Sequence, residues 1–347
     1  MIRSWATTVA IAAAASAALA FVGLPSPVLF GALVGGMAYA VFGSRSLALP
    51  DWSFSVGQAI IGVTIGALVD VETLSALSGD LWPILGACVA TLLLSIVGGY
   101  AFRSGRDMSA ATGVFAMIAG GASGVTAIAR DLGADERVVA VVQYLRVLLV
   151  LITMPLVTAA VFRPDQDETS GGLGGDPALL GGAAFTVVCV GLGAVLGRLT
   201  RMPAGSLLGP LAVSVLLSVS GWFDPVGGAG VPDVLVNAGY ALIGIQVGLR
   251  FTRASLRSIA ALLPRAVLTI FAMIALCAGL GVALAAVTGT SALDAYLATT
   301  PGGLYAVLAT AIATGSNVTF VLGTQVARLL VMLLAAPLLA RVMRRST

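Results

Sequence analysis

The sequence of 347 residues lacks histidine and lysine, and only 10% of its residues are charged. Soluble domains carry about 25% charged residues, so this composition excludes a soluble globular protein. The absence of histidine removes the imidazole ligands on which copper and non-haem iron oxygenase sites depend. We therefore expect neither an enzyme nor a resident cofactor.

Cysteine is also scarce, with three residues that stand singly in apolar runs: Cys88, Cys189 and Cys277. They form no metal-binding pair and no disulfide framework, and we interpret them as small apolar packing residues. The net charge of +3 comes from arginines spread over short connections. No connection is long enough for a soluble basic module, so we expect no direct nucleic-acid binding.

What the sequence does contain is apolar residues, at 59% of the chain, with a mean hydropathy of +1.06. A transmembrane helix needs about 20 apolar residues, so this content suffices for about ten spans. The lipid bilayer is therefore the expected environment of the whole chain.

The chain is a duplication, because landmarks recur after a shift of 182 positions. The matched pairs are Pro50 with Pro232, Gly62 with Gly244, Gly66 with Gly248, Gln143 with Gln325 and Arg146 with Arg328. We predict a first membrane repeat over 1–163, a polar linker over 164–177 and a second membrane repeat over 178–347. Residues 1–23 resemble a signal peptide, yet the segment recurs at 178–201, so we expect a retained membrane helix.

Each half contains six apolar segments, of which the fourth spans about 80–102 in the first half and 260–286 in the second. The charges between the segments indicate opposite orientations of the two halves. The connection after the third segment is acidic in the first half, with Asp70 and Glu72, but basic in the second, with Arg250 and Arg253. Because cytoplasmic loops are enriched in Lys and Arg, equivalent loops lie on opposite sides. Each half therefore crosses the membrane an odd number of times.

The fifth segment of each half is the one expected not to cross. Gly120-Gly121-Ala122-Ser123-Gly124 interrupts residues 108–129, and Thr299-Thr300-Pro301-Gly302-Gly303 interrupts residues 292–314. Glycine and proline break helices. The sequence predicts an all-α polytopic membrane protein of two inverted repeats, each with about five transmembrane helices and one re-entrant or broken helix. Both termini would be cytoplasmic.

Arg146 and Arg328 are the most informative residues, because each lies about 10–12 Å inside the sixth segment of its half. An intramembrane arginine costs at least ~2.5 kcal/mol and is a candidate functional residue. Gln143 and Gln325 precede them by three positions, on the same helical face. Two interpretations stay open: the arginines bind an anionic group, or they cap backbone carbonyls at the breaks.

Weaker substrate-binding candidates are the small and polar residues of the breaks and of the connection that follows them: Gly120, Gly121, Ser123, Thr300, Gly302, Gly303 and Asn317. No carboxylate lies deep in a span, with Asp294 as the exception at a segment end. If transport is ion-coupled, these polar residues suit a Na⁺ ion near Thr299 and Ser316 better than a proton relay.

Several of these motifs give the chain a resemblance to the bacterial AbrB-type membrane protein family. It rests on Gly62-x-x-x-Gly66, Thr300-Pro301-Gly302-Gly303, the two Gln-x-x-Arg pairs and Pro25 with Gly31. The first half departs from it, with Ala119-Gly120-Gly121 where the second half has Pro301. Members are often labelled ammonia monooxygenase or transcriptional regulator, and the lack of histidine and of a soluble basic module argues against both as direct activities.

The family looks like a remote relative of the cation–proton antiporter and anion transporter superfamily, which implies an elevator-type transporter in the bacterial cytoplasmic membrane. Our leading hypothesis is a secondary transporter of a small organic anion that works by alternating access. The alternative is a membrane-embedded sensor that affects gene expression indirectly. A surface rich in Gly and Ala is compatible with a homodimer.

Overall fold

The fold was obtained as a computed structural model, which describes residues 2–24, 26–43, 47–69, 79–103, 108–119, 129, 134–162, 179–200, 204–223, 229–253, 257 and 260–345. Over these ranges the regular structure is helical, with no strand. The predicted all-α class is therefore confirmed.

The helices of the first half are α1 (Ile2–Phe21), α2 (Pro27–Phe42), α3 (Asp51–Ala67), α4 (Leu81–Phe102), α5 (Ala110–Met117) and α6 (Glu136–Val157), which a π-helical turn (Thr158–Phe162) extends. Those of the second half are α7 (Leu179–Thr200), α8 (Gly205–Val219), α9 (Asp233–Leu249), α10 (Leu263–Thr288), α11 (Ala292–Thr299), α12 (Leu304–Ala313) and α13 (Val318–Arg345).

Helix lengths follow the same pattern in the two halves. Six helices among the described residues are long and apolar enough to cross a membrane, namely α1, α4, α6, α7, α10 and α13. They are the first, fourth and sixth segments of each half. The second and third segments are shorter in both halves, at 15 to 17 residues.

Burial in this protein is inverted relative to a soluble domain. Large apolar side chains lie outside, as with Trp82 at 83% and Leu180 at 85% exposure, whereas Gln143 and Gln325 are buried. Lipid solvates apolar side chains but leaves polar groups without partners, so polar groups in a membrane protein must face inward. Length, composition and burial together define a polytopic membrane protein.

The helices form two compact units that cut across the two sequence repeats. The first unit comprises Met1–Leu74, Thr158–Thr252 and Leu308–Thr319; the second comprises Ser75–Val157, Arg253–Val307 and Phe320–Thr347. The first unit thus holds the first three helices of each half and most of α12, and the second unit holds α4, α5, α6, α10, α11 and nearly all of α13. Each unit therefore contains helices of both repeats.

In the first unit, α3 packs against α8, and the equivalent helix α9 packs against α2. A Cβ atom added to Gly62 would collide with the carbonyl oxygen of Leu207, and one added to Gly244 would collide with that of Leu29. Leu29 and Leu207 are equivalent positions, because the first segments of the two repeats match at a shift of 178 positions, which also pairs Pro25 with Pro203. The Gly-x-x-x-Gly motifs therefore allow close helix packing, and the same contact is made twice.

In the second unit, the eight-residue helix α5 packs against α4 and α6, and the eight-residue helix α11 packs against α10 and α4. A core around α11 joins it to α4, α10 and α13, with Cys88, Leu284, Ala295, Ala298 and Phe320 among its buried members. After α11 the chain breaks over residues 300–303 before α12 begins. This break was predicted from the sequence; the return of the segment to the same membrane side, and the inversion of the repeats, stay predictions.

Candidate functional site

The two short helices of the second unit begin in the same way. The Ser109 hydroxyl accepts a hydrogen bond from the Thr112 N–H (3.1 Å) at the start of α5, and the Ser291 hydroxyl accepts one from the Asp294 N–H (3.0 Å) at the start of α11. Serine is a favoured N-cap because its side chain satisfies an N–H group that the helix leaves unpaired. Both helices therefore start at a fixed, equivalent residue.

Their C-terminal ends are satisfied by glutamine side chains from the long helices α6 and α13. Gln143 Nε2 donates to the Phe115 carbonyl oxygen at 2.9 Å, and Gln325 Nε2 donates to the Leu297 carbonyl oxygen at 2.8 Å. The last carbonyls of a helix have no partner inside it, so each glutamine supplies a missing donor. Donor and acceptor are equivalent in the two repeats, and the same bond is therefore made twice.

The arginine one turn further along binds the end of the same short helix. Arg146 Nη1 donates to the Met117 carbonyl oxygen at 2.7 Å, whereas Arg328 donates from Nη1 to the Thr300 carbonyl oxygen and from Nη2 to Gln325 Oε1. The C-terminal end of a helix carries a partial negative charge, which a guanidinium stabilises. The structure thus contains the arginine-to-carbonyl hydrogen bonds that the carbonyl-capping interpretation expects.

Capping leaves both guanidinium groups with unused donors. Arg146 is 4% exposed and Arg328 is 5% exposed, and Nε of each is buried without a hydrogen-bond partner. Among the described residues neither arginine forms an ion pair. The second unit therefore contains two buried positive charges that partial helix charges offset only in part.

Arg146, which belongs to the first repeat, faces the helix break of the second repeat. Gly302 has φ +124° and Gly303 has φ +71°, backbone conformations that favour glycine. A Cβ atom built on Gly302 would lie 3.3 Å from Arg146 Nε, and its three nearest neighbours would all be guanidinium atoms. The guanidinium of Arg146 therefore packs against the backbone at Gly302.

The remaining predicted residues divide into three groups. Thr299 and Thr300 lie at the end of α11, and their hydroxyls donate back to the carbonyls of Ala295 (2.9 Å) and Tyr296 (2.7 Å). Ser316 and Asn317 lie in the first unit instead, where Asn317 is exposed and the Ser316 hydroxyl pairs with that of Thr314 at 2.9 Å. Gly120, Gly121 and Ser123 lie outside the described residues. The Na⁺ site near Thr299 and Ser316 stays a prediction.

Sequence reasoning missed the acceptors of the site, which are the backbone carbonyls of Phe115, Met117 and Leu297. A carbonyl group is common to all residues, so no sequence signal identifies it. The caps Ser109 and Ser291 were also missed, although a serine directly before a helical segment is a recognisable start signal.

The fold and the site define a class: an all-α polytopic membrane protein in which short, broken helices are capped by buried arginines. The family model "Transition state regulatory protein AbrB" matches residues 2–66 and 28–344. The chain therefore belongs to the AbrB family.

Two curated relatives match over nearly their whole length. "Putative regulator AbrB" of Escherichia coli (strain K12) is 32% identical over 319 residues, which cover 92% of this chain and 90% of that protein. "Uncharacterized protein YhjN" of Bacillus subtilis (strain 168) is 24% identical over 356 residues, which cover 95% of this chain and 90% of that protein. The similarity extends through both repeats and includes the arginine-bearing helices.

Proposed function

We propose that this protein is a secondary transporter of a small organic anion, working by alternating access, and not an enzyme. The observation that carries the proposal is the pair of buried arginines, Arg146 and Arg328, each with an unsatisfied Nε–H and no carboxylate partner among the described residues. An anion entering this site would neutralise charge that the protein leaves unpaired. Arginine binds carboxylate groups through two parallel hydrogen bonds, which suits a carboxylate ligand.

The scarcity of residues that could carry a proton supports Na⁺ rather than a proton as the coupling ion of such a transporter. The sequence contains no histidine. Asp294 is buried, but it lies at the N-terminal end of α11, whereas the arginine contacts are made at the C-terminal ends of α5 and α11. Carbonyl and hydroxyl oxygens, such as those of Thr299 and Thr300, are ligands that Na⁺ accepts at unwound helices. Na⁺ coupling is accordingly part of the proposal, as is a cytoplasmic-membrane location with both termini in the cytoplasm.

The direct test is flux of radiolabelled small carboxylates, such as succinate and citrate, into proteoliposomes that contain purified protein. Arg146→Ala and Arg328→Ala are the test variants, and Arg341→Ala is the control because Arg341 is an exposed arginine on the same helix as Arg328. We expect flux with the wild type and with Arg341→Ala, and loss of flux with both test variants. Full flux with both test variants would contradict the proposal.

A second candidate function, a membrane-embedded sensor, is favoured by one observation: the relative from Escherichia coli is named a putative regulator. A sensor would bind an anion at the same arginines without moving it and would signal through a partner protein. It predicts an anion-dependent rise in the unfolding temperature, no flux in proteoliposomes and a stably co-purifying partner. Flux measured beside binding on the same preparation therefore separates the two functions.

A further inference from the structure

The two arginines make different contacts, although they occupy equivalent positions of the duplication. Arg328 uses two nitrogens within the protein, donating from Nη1 to the Thr300 carbonyl and from Nη2 to Gln325. Arg146 uses one nitrogen, Nη1, which donates to the Met117 carbonyl. Among the described residues, Arg146 therefore keeps more free donors than Arg328, while both are almost fully buried.

The free donors of Arg146 lie beside the first turn of α12. The N–H groups of Ala306 and Val307 bond to the Gly303 carbonyl at 2.8 and 2.9 Å, which fixes the start of α12 at this point. The first N–H groups of a helix have no acceptor within it, and the helix start carries partial positive charge. Gly302 lies directly before this helix start, and a Cβ atom built on it would be 3.3 Å from Arg146 Nε.

A helix start and a guanidinium that lie near each other are a favourable setting for an anion, because an oxyanion accepts hydrogen bonds from both. A Cβ atom at position 302 would be in tight contact with Nε and would push the guanidinium away. Glycine at position 302 therefore lets the guanidinium lie this close to the start of α12.

Resting on the transport proposed above, we propose that the carboxylate or phosphonate headgroup of the anion binds beside Gly302, where it accepts hydrogen bonds from Arg146 and from the first turn of α12. Arg146 is the ligand-binding arginine. Arg328 is a positioning residue, which holds the end of α11 and Gln325 in place. The two repeats have thus diverged: one arginine recognises the anion and the other supports the helix end.

The test is isothermal titration of the purified full-length protein with succinate, citrate and methylphosphonate, with succinamide as the uncharged control. For Gly302→Ala we expect the Kd of the binding anion to rise at least about tenfold, the loss typical of one charge-assisted hydrogen bond. Alanine at a positive φ also strains the backbone. Gly289→Ala controls for that strain, because Gly289 has φ +69° and open space around it. It should lower the unfolding temperature and leave the Kd unchanged.

A second comparison separates the two arginines. Arg146→Lys and Arg328→Lys both keep the positive charge, so they change hydrogen-bond geometry alone. We expect Arg146→Lys to raise the Kd more than Arg328→Lys does, and Arg328→Lys to lower the ligand-free unfolding temperature more than Arg146→Lys does.

The outcomes distinguish this assignment from the proposed function. If the wild type binds and transports an anion but Gly302→Ala binds it equally well, or Arg328→Lys weakens binding more than Arg146→Lys, the assignment to Arg146 and Gly302 is wrong and transport stands. If the wild type binds none of the three anions and proteoliposomes show no flux, the transport proposal itself fails.

Discussion

Gln143 and Gln325 show how much of the second unit depends on single side-chain amides. Each reaches from a long helix to the last turn of a short one and satisfies a carbonyl that would otherwise be buried without a donor. Both side chains are almost fully buried, at 3% and 2% exposure. In a membrane protein no water compensates for the loss of such a bond.

Replacement of Gln325 by methionine keeps the length of the side chain but removes the donor to the Leu297 carbonyl. Leaving a buried acceptor unsatisfied costs about 1–3 kcal/mol, so we expect a lower unfolding temperature in detergent. Gln143→Met should also lower the unfolding temperature, but by less, because Gln325 additionally accepts a hydrogen bond from Arg328 Nη2. Asn237→Ala, at an exposed position of α9, is the control. An unfolding temperature equal to that of the wild type in both glutamine variants would contradict the capping role.

For single residues of the site, the sequence indicated the hydrogen-bond donors but not the acceptors. Arg146 and Arg328 stood out because a charge inside an apolar segment is costly, and the duplication showed that each is paired with a glutamine. Which atoms they bind could not be predicted, because the acceptors are carbonyls that become free only where α5 and α11 end. The asymmetry between the two arginines likewise depends on side-chain geometry that identical Gln-x-x-Arg motifs do not encode.

Among the elements, the close contacts of the first unit depend on glycine at helix crossings. Gly62 on α3 lies against the backbone of α8, and Gly244 on α9 lies against the backbone of α2. These four helices have 15 to 17 residues each. Tight backbone packing through small residues is a main source of helix association in lipid.

Gly62→Ala and Gly244→Ala should each force the crossing helices apart. Overpacking of this kind costs typically about 1–3 kcal/mol, and we expect the two variants to lose similar amounts because the contacts are equivalent. Gly191→Ala on α7 is the control: an added Cβ there meets open space, and alanine favours a helix by up to about 1 kcal/mol. Thermal unfolding with size-exclusion chromatography measures all three. If Gly62→Ala and Gly191→Ala behaved alike, the packing role would be wrong.

Element bounds were predictable where apolar runs are uninterrupted. The fourth segments, expected at 80–102 and 260–286, are observed at Leu81–Phe102 and Leu263–Thr288. The broken segment at 292–314 was also foreseen, since Pro301 and the two glycines after it cannot continue a helix. Which helices pack against each other was not predictable, because contacts between the repeats depend on tertiary packing and not on the local sequence pattern.

For the whole molecule, the opposite orientation of the two repeats is the prediction with the widest consequences. Gly79 and Ala261 are equivalent positions of the duplication, and both are exposed at the start of the fourth helix of their half. The preceding connections carry opposite charge, acidic with Asp70 and Glu72 in the first half and basic with Arg253 and Arg257 in the second. An inverted duplication places these positions on opposite sides of the membrane.

Single cysteines test this directly after Cys88, Cys189 and Cys277 have been replaced by alanine. In intact cells, a membrane-impermeant maleimide should label Gly79→Cys and should label Ala261→Cys only after permeabilisation. Permeabilised cells provide the control that both thiols can react. Equal labelling of the two positions in intact cells would mean that the repeats are parallel, and the charge argument would then be wrong.

The division into compact units has a consequence for the origin of the chain. Because each unit takes helices from both halves, a half-length protein would lack the partners for the crossings at Gly62 and Gly244 and would leave both units incomplete. An ancestor with a single repeat would therefore have needed a second copy of itself to build either unit. Fusion of two such copies would have allowed the two arginines to specialise in the way that we propose above.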